Sequence, residues 1–221
     1  MTRCAERTTF DMKAIIFDLD GVICHTDEYH YLAWKAMADT MHIPFDRQVN
    51  NRLRGVSRME SLEIILEQYR GELSQAEKKA LAEQKNELYK ESLKQMSPAD
   101  LSDEVKNTLD ALRQRGYRLA IGSSSKNARF ILQQLGLGSF FDAISDGNNI
   151  IRSKPDPEVF VKAAQMLCVP CEECLVVEDA VSGAQAGKAG GMKVACVGDA
   201  AAQEAGDYNL HSFRELLEVA L

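Results

Sequence analysis

No apolar run in this 221-residue chain approaches the roughly 20 residues needed to span a bilayer. The first eleven residues carry charges but no apolar signal core. Neither a membrane partner nor a secretory leader is expected, and the reading is a cytoplasmic protein. Positive charge is not in excess either. Against 26 lysines and arginines stand 33 aspartates and glutamates, a formal charge of -7 with the two signs mixed, which argues against nucleic acid as a partner. Internal repeats and low-complexity tracts are lacking. Cys168, Cys171 and Cys174 stand at three-residue intervals, but the fourth ligand a metal or cluster motif needs is missing. Reduced thiols in a reducing compartment are the simplest account. The 45% hydrophobic content suits one domain, or one domain carrying a sizeable insertion.

Strand-like apolar runs recur at residues 13–19, 117–122, 141–145, 174–177 and 193–197, with helical periodicity between and after them at 103–115, 127–135, 157–167, 182–189 and 212–219. Glycines such as Gly116, Gly136 and Gly190 end several of the helices. The alternation predicts an α/β fold: a doubly wound, Rossmann-like parallel sheet with helices on both faces and ligands at the carboxyl ends of the strands. Residues 28–96 break the pattern. Every periodic segment there (28–41, 57–69 and 74–93) reads as helix, which predicts an all-helical cap inserted after the first strand. The expected boundaries are a disordered extension at 1–11, a core domain at 12–26 and 97–221, and the cap at 27–96. Hinged beside the first strand, such a cap can close over a site.

The chemistry starts at the end of that strand. Asp18 and Asp20 are two positions apart and leave a strand on the same side. Two carboxylates so close repel unless a cation lies between them. A hard divalent cation does so, and lets a carboxylate approach an anionic phosphoryl group. Three more clusters fall at strand ends: the run Ser123-Ser124-Ser125-Lys126-Asn127, Lys154 within Ser153-Lys154-Pro155, and the pair Glu178-Asp179. Taken alone, the serine run reads as a helix cap and Lys154 as a surface lysine. Paired acids at the tip of a buried strand are harder to explain without a cation. Together the four clusters make one metal-assisted phosphoryl-transfer site. Gly183-x-x-x-Gly187-Lys188 has the wrong spacing for a nucleotide loop, and Ala189 stands where that loop needs a hydroxyl.

Phe17-Asp18-Leu19-Asp20-Gly21-Val22, Ser123, Lys154 and Glu178-Asp179 resemble the four motifs of the haloacid dehalogenase superfamily in order and spacing, across nearly the whole chain. Within it, Thr26-x-x-Tyr29-His30-x-x-x-Trp34-Lys35-Ala36, Leu53-Arg54-Gly55-Val56-Ser57-Arg58-x-x-Ser61, Lys85-Asn86, Ser123-x-Ser125-Lys126-Asn127 and the return hinge Ser97-Pro98-Ala99-Asp100 are similar to the β-phosphoglucomutase family. The resemblance implies interconversion of β-glucose 1-phosphate and glucose 6-phosphate through glucose 1,6-bisphosphate, one Mg2+ per chain and an aspartyl-phosphate. It makes Asp18 the nucleophile and Asp20 the general acid and base. Ser123 and Lys154 would hold the transferring group. Asp18, the Asp20 carbonyl, Glu178 and Asp179 would surround the metal. Arg58, Ser125, Lys126 and Asn127 would clamp the second phosphate, with Ser124 also binding substrate, while Trp34, Leu53, Gly55, Val56, Ser57, Ser61 and Lys85 would face the sugar, with His30 and Thr26 near the hinge. Without the family pattern Trp34 reads as core, and Arg58 and Lys85 as solvated helix charges. The alternative is a sugar-phosphate phosphatase on the same scaffold. A monomer that takes small sugar phosphates is expected.

The chain departs from the family at two places. His25 stands where an aspartate usually precedes the hinge threonine, and Ser102-Asp103-Glu104 replaces a Pro-Gly turn. Neither touches a phosphoryl-transfer residue.

Overall fold

The computed structural model describes residues 12–53 and 56–220. In chain order the regular elements are β1 (Ala14–Phe17), α1 (Asp27–Thr40), α2 (Arg47–Asn51), α3 (Arg58–Leu66), α4 (Gln75–Leu93), α5 (Asp103–Gln114), β2 (Arg118–Gly122), α6 (Ala128–Gln134), β3 (Ala143–Ser145), α7 (Glu158–Leu167), β4 (Cys174–Glu178), α8 (Val181–Ala189), β5 (Lys193–Cys196), α9 (Gly198–Ala202), β6 (Tyr208–Asn209) and α10 (Leu216–Val219). The strands form one parallel sheet in the order β3-β2-β1-β4-β5-β6. The chain winds outward from β1 through β2 to β3, then crosses to the other side of β1 and runs on through β4 to β6. The topological switch point lies between β1 and β4, where open α/β sheets bind their ligands.

Both faces of the sheet are covered, which is why its central strands read as continuous apolar runs rather than alternating ones. Ile15 and Phe17 of β1 pack with Leu119, Ile121, Leu175 and Val177 under Leu109 and Leu112 of α5 and Ile131 and Leu132 of α6. Ala14 and Ile16 point the other way, into a cluster with Ala120, Val176 and Val194 under Phe160, Ala163 and Leu167 of α7. The helices α1–α4 have a hydrophobic cluster of their own, built on Trp34, Met37, Phe45, Leu62, Ile65 and Ala82. Ser57 and Ser74 open α3 and α4 as reciprocal capping boxes with Glu60 and Glu77.

The five sequence-read strands and the long helices are present. The additions are short: β6, α2 and α9 have two, five and five residues, too few for a period to show. The helix expected at 212–219 is a 3-10 turn, Phe213–Glu215, followed by the four residues of α10. Gly116 and Gly136 adopt left-handed φ after α5 and α6, but after α8 the left-handed residue is Gly191 rather than Gly190. Among the cysteines, Cys168 takes the left-handed position that ends α7, and Cys174 is buried at the start of β4, where burial pushes its thiol up to about 12. Such a thiol is packing rather than chemistry.

Candidate active site

Register brings the motifs together. Phe17 pairs with Ile121 on one side and Val177 on the other, so Asp18 emerges beside the ends of β2 and β4. The Asp18 amide donates to the Val177 carbonyl at 2.9 Å, and the Ser123 amide to Ser145 of β3 at 3.0 Å. Lys154 arrives from the loop before α7. It is 2% exposed, and its Nζ donates to Asp18 Oδ1 and Glu178 Oε1, both at 2.5 Å. The Phe160 ring lies 4.7 Å from the ammonium.

Carboxylate oxygens of Asp18, Glu178 and Asp179 all lie within 4.8 Å of one another, and all three residues are buried. Burial drives the Asp18 carboxyl well above its ordinary 3.8, with Lys154 opposing and the neighbouring acids reinforcing. Burial alone would depress Lys154, but Asp18 and Glu178 raise it above the usual lysine value. One ammonium against three carboxylates leaves two negative charges over, which a divalent cation with oxygen ligands fits. The backbone makes room for two of these carboxylates. A Cβ on Gly21, where φ is +84°, would come 2.1 Å from Asp179 Oδ2, and one on Gly183 would come 1.7 Å from Glu178 Oε1. Gly21→Ala is therefore expected to cost about 1–3 kcal/mol of stability and to raise the Mg2+ concentration for half-activation about 10- to 100-fold. A thermal melt and a Mg2+ titration of activity test this; an unchanged titration would separate Asp179 from the metal.

Asp20 does not share the cluster with its side chain. Its Oδ1 accepts from the hydroxyl of Thr26, which is buried at the entry to α1. Burial, opposed by that hydrogen bond, lifts the Asp20 carboxyl to about 6. A group with that pKa can carry a proton or take one near neutrality. A second buried lysine faces it from α4. Lys85, 2% exposed, has its Nζ 2.9 Å from His30 Nδ1 and 4.7 Å from the Trp34 ring. Burial holds Lys85 well below its usual pKa, and Arg58 adds to this. Burial, then Lys85 and Arg58, keep His30 neutral.

These groups line one cavity of about 650 Å3 between the sheet's carboxyl end and the helices α1–α4. Of the sequence-read residues, Asp18, Asp20, His30, Trp34, Leu53, Val56, Ser57, Arg58, Ser61, Lys85, Ser123, Ser124, Ser125, Lys126, Asn127, Lys154, Glu178 and Asp179 all border it. Thr26 lies behind Asp20, and Gly55 falls outside the described residues. The serine run does not cap α6, whose N-cap is Asn127 with no side-chain cap bond; its hydroxyls hold the turn before the helix, Ser123 Oγ accepting from the Ser125 amide and Ser125 Oγ from the Asn127 amide. A hydroxyl that accepts in this way keeps its own O–H for donation. The surface-lysine reading of Lys154 is excluded by its burial. Glu83, Asn50, Met59, Tyr89, Ile150 and Ile151 also line the cavity and were not singled out by sequence reasoning. Tyr89 stacks on His30 at 4.0 Å, and its spacing from Lys85 on α4 is the one signal that could have found it.

A model of the haloacid dehalogenase-like hydrolase family matches residues 12–191, and the chain belongs to that family. Within it the chain is similar to mutases and, at lower identity, to phosphatases. The chain is 44% identical to beta-phosphoglucomutase of Bacillus subtilis over 189 residues, 85% of this chain and 84% of that one. The crystal structure of beta-phosphoglucomutase from Clostridium difficile superposes with a TM-score of 0.87 at 34% identity, covering 93% of each chain. A phosphorylated carbohydrates phosphatase of Thermotoga maritima is 30% identical, over 82% of this chain and 83% of its own. Among the described residues no helix is long and apolar enough to cross a membrane.

Proposed function

We propose that this enzyme interconverts β-glucose 1-phosphate and glucose 6-phosphate through a bound β-glucose 1,6-bisphosphate. The observation that carries this reading is that a single cavity holds two cationic ends. Lys154 stands with Ser123 beside Asp18, while Arg58 of α3 and Lys126 with Asn127 stand on its other walls. A hydrolase that removes one phosphate needs only the first; a bisphosphate intermediate needs both.

In this reading the ionised Asp18 attacks phosphorus of the bisphosphate. The P–O bond to the sugar breaks, and Asp20 gives its proton to the departing sugar oxygen. In the return step Asp20 takes the proton of the sugar hydroxyl that attacks the aspartyl-phosphate. Lys154 and Ser123 hold the transferring group. Arg58, Ser125, Lys126 and Asn127 hold the other phosphate, for which a planar guanidinium is suited. Mg2+, when bound by Asp18, the Asp20 carbonyl, Glu178 and Asp179, supplies charge neutralisation for the phosphoryl oxygens. The helices α1–α4 serve as the cap, residues 27–96, that keeps water from the aspartyl-phosphate. The proposal includes a monomer in the cytoplasm.

A coupled assay with β-glucose 1-phosphate, a trace of glucose 1,6-bisphosphate and Mg2+ decides it. Glucose 6-phosphate is the expected product. Release of free phosphate in its place would establish the phosphatase reading.

A further inference from the structure

The helical wall of the cavity carries a carboxylate where an anion-binding site has no need of one. Glu83 of α4 is exposed, lines the cavity, and accepts at Oε2 from Arg58 Nη1 at 3.2 Å. Glu87, one turn further along α4, adds its charge to the field around Arg58. The other Glu83 oxygen accepts from Asn86 Nδ2 at 3.2 Å. Asn86 is buried, and its Oδ1 accepts from Nδ2 of the buried Asn127, at the start of α6, at 3.0 Å. This last bond joins the helical insertion to the sheet.

A carboxylate only accepts hydrogen bonds. Asn86 must therefore turn its NH2 toward Glu83 and its oxygen toward Asn127, and Asn127 must turn its own NH2 toward Asn86. One surface carboxylate thus sets the direction of two buried amides while it holds a guanidinium. Arg58 and Asn127 are two of the groups assigned above to the second phosphate, and they come from opposite walls.

We propose that Glu83 is a positioning residue, the resident counter-anion of the second phosphate clamp. It holds Arg58 in place and, through Asn86, orients the amide of Asn127, and the sugar's own phosphate displaces its carboxylate from Arg58. This rests on the mutase reading of the site. Glu83 then has two opposed effects. Its charge competes with the phosphate, and its hydrogen bond to Asn86 prepares the clamp.

Two substitutions separate these effects. Glu83→Gln keeps an acceptor oxygen for Asn86 and drops the charge; Glu83→Ala loses both. Glu83→Gln is expected to lower KM for β-glucose 1-phosphate about two- to fivefold with kcat within twofold of the parent, and the gain shrinks as salt is added. Glu83→Ala is expected to have a higher KM than Glu83→Gln. Acetyl phosphate, which has no second phosphate, should phosphorylate the parent and both variants at one rate. A KM for Glu83→Gln equal to or above the parent's would overturn the proposal, as would an acetyl phosphate rate that moves in parallel. A parent that releases only free phosphate overturns the mutase reading instead, and the same variants are then compared through the KM of that hydrolysis.

Discussion

Asp18→Asn is expected to abolish phosphoryl transfer, with kcat down on the order of 10^4-fold or more. An amide cannot form the aspartyl-phosphate, and the neighbouring Glu178 is already engaged by Lys154 and by the amides of Asp179 and Ala180. Protein incubated with a phosphoryl donor should acquire no hydroxylamine-labile label. The same substitution is expected to leave the fold at least as stable as the parent in a chelator. Burial, opposed by Lys154 and reinforced by Glu178, Asp179 and Asp20, holds the Asp18 carboxyl above its ordinary value, and the amide removes one of three clustered negative charges. Loss of activity with unchanged or raised Tm separates a missing nucleophile from a collapsed site. Retained turnover, or a retained label, would remove Asp18 from the chemistry.

Lys154→Met tests the opposite sign. The methionine keeps the unbranched stem but leaves Asp18 and Glu178 without the ammonium that lies 2.5 Å from each. Breaking a buried pair by removing one partner costs about 3–5 kcal/mol, which in a chain of this length is a fall in Tm of about 6–20 °C. Added Mg2+ should restore part of that loss, because a ligand that binds only the folded state stabilises it. Activity should not return with the stability, and a deficit on the order of 10^3-fold is expected to persist in saturating Mg2+. A Tm within about 2 °C of the parent in chelator would show that the carboxylates are neutralised by something else.

The relation between these two substitutions explains what was legible in the sequence. Asp18, Asp20, Glu178 and Asp179 could be found because buried strands that end in acids are physically costly. An apolar run such as Ala14–Phe17 announces its burial, so the charge that follows demands a reason. Lys154 was legible only in company. By itself it reads as a surface lysine, and its burial follows from the fold of its loop and from Phe160 beneath it, contributed by a helix whose own pattern says nothing of the site. Lys85 is the same case on the helical side: a lysine in a strongly charged helix, buried only because α1 lies across α4 and brings His30 and Trp34 to it.

Glu83 was not legible at all. An acidic residue in an exposed stretch of α4 matches a solvated face, and only the folded chain brings Arg58, from 25 residues upstream, and Asn127, beyond Asn86, into its network. The sequence by itself determined the alternation of strand and helix, the helical interruption after β1, and the acids at the strand ends, because periodicity and the cost of burying charge are local properties. Tertiary structure alone decided which polar groups meet: the lysine between two carboxylates, the threonine on Asp20, the amides that join the two walls. Those pairings depend on strand order and on where α1–α4 sit over the sheet, and neither is encoded in the spacing of any one segment.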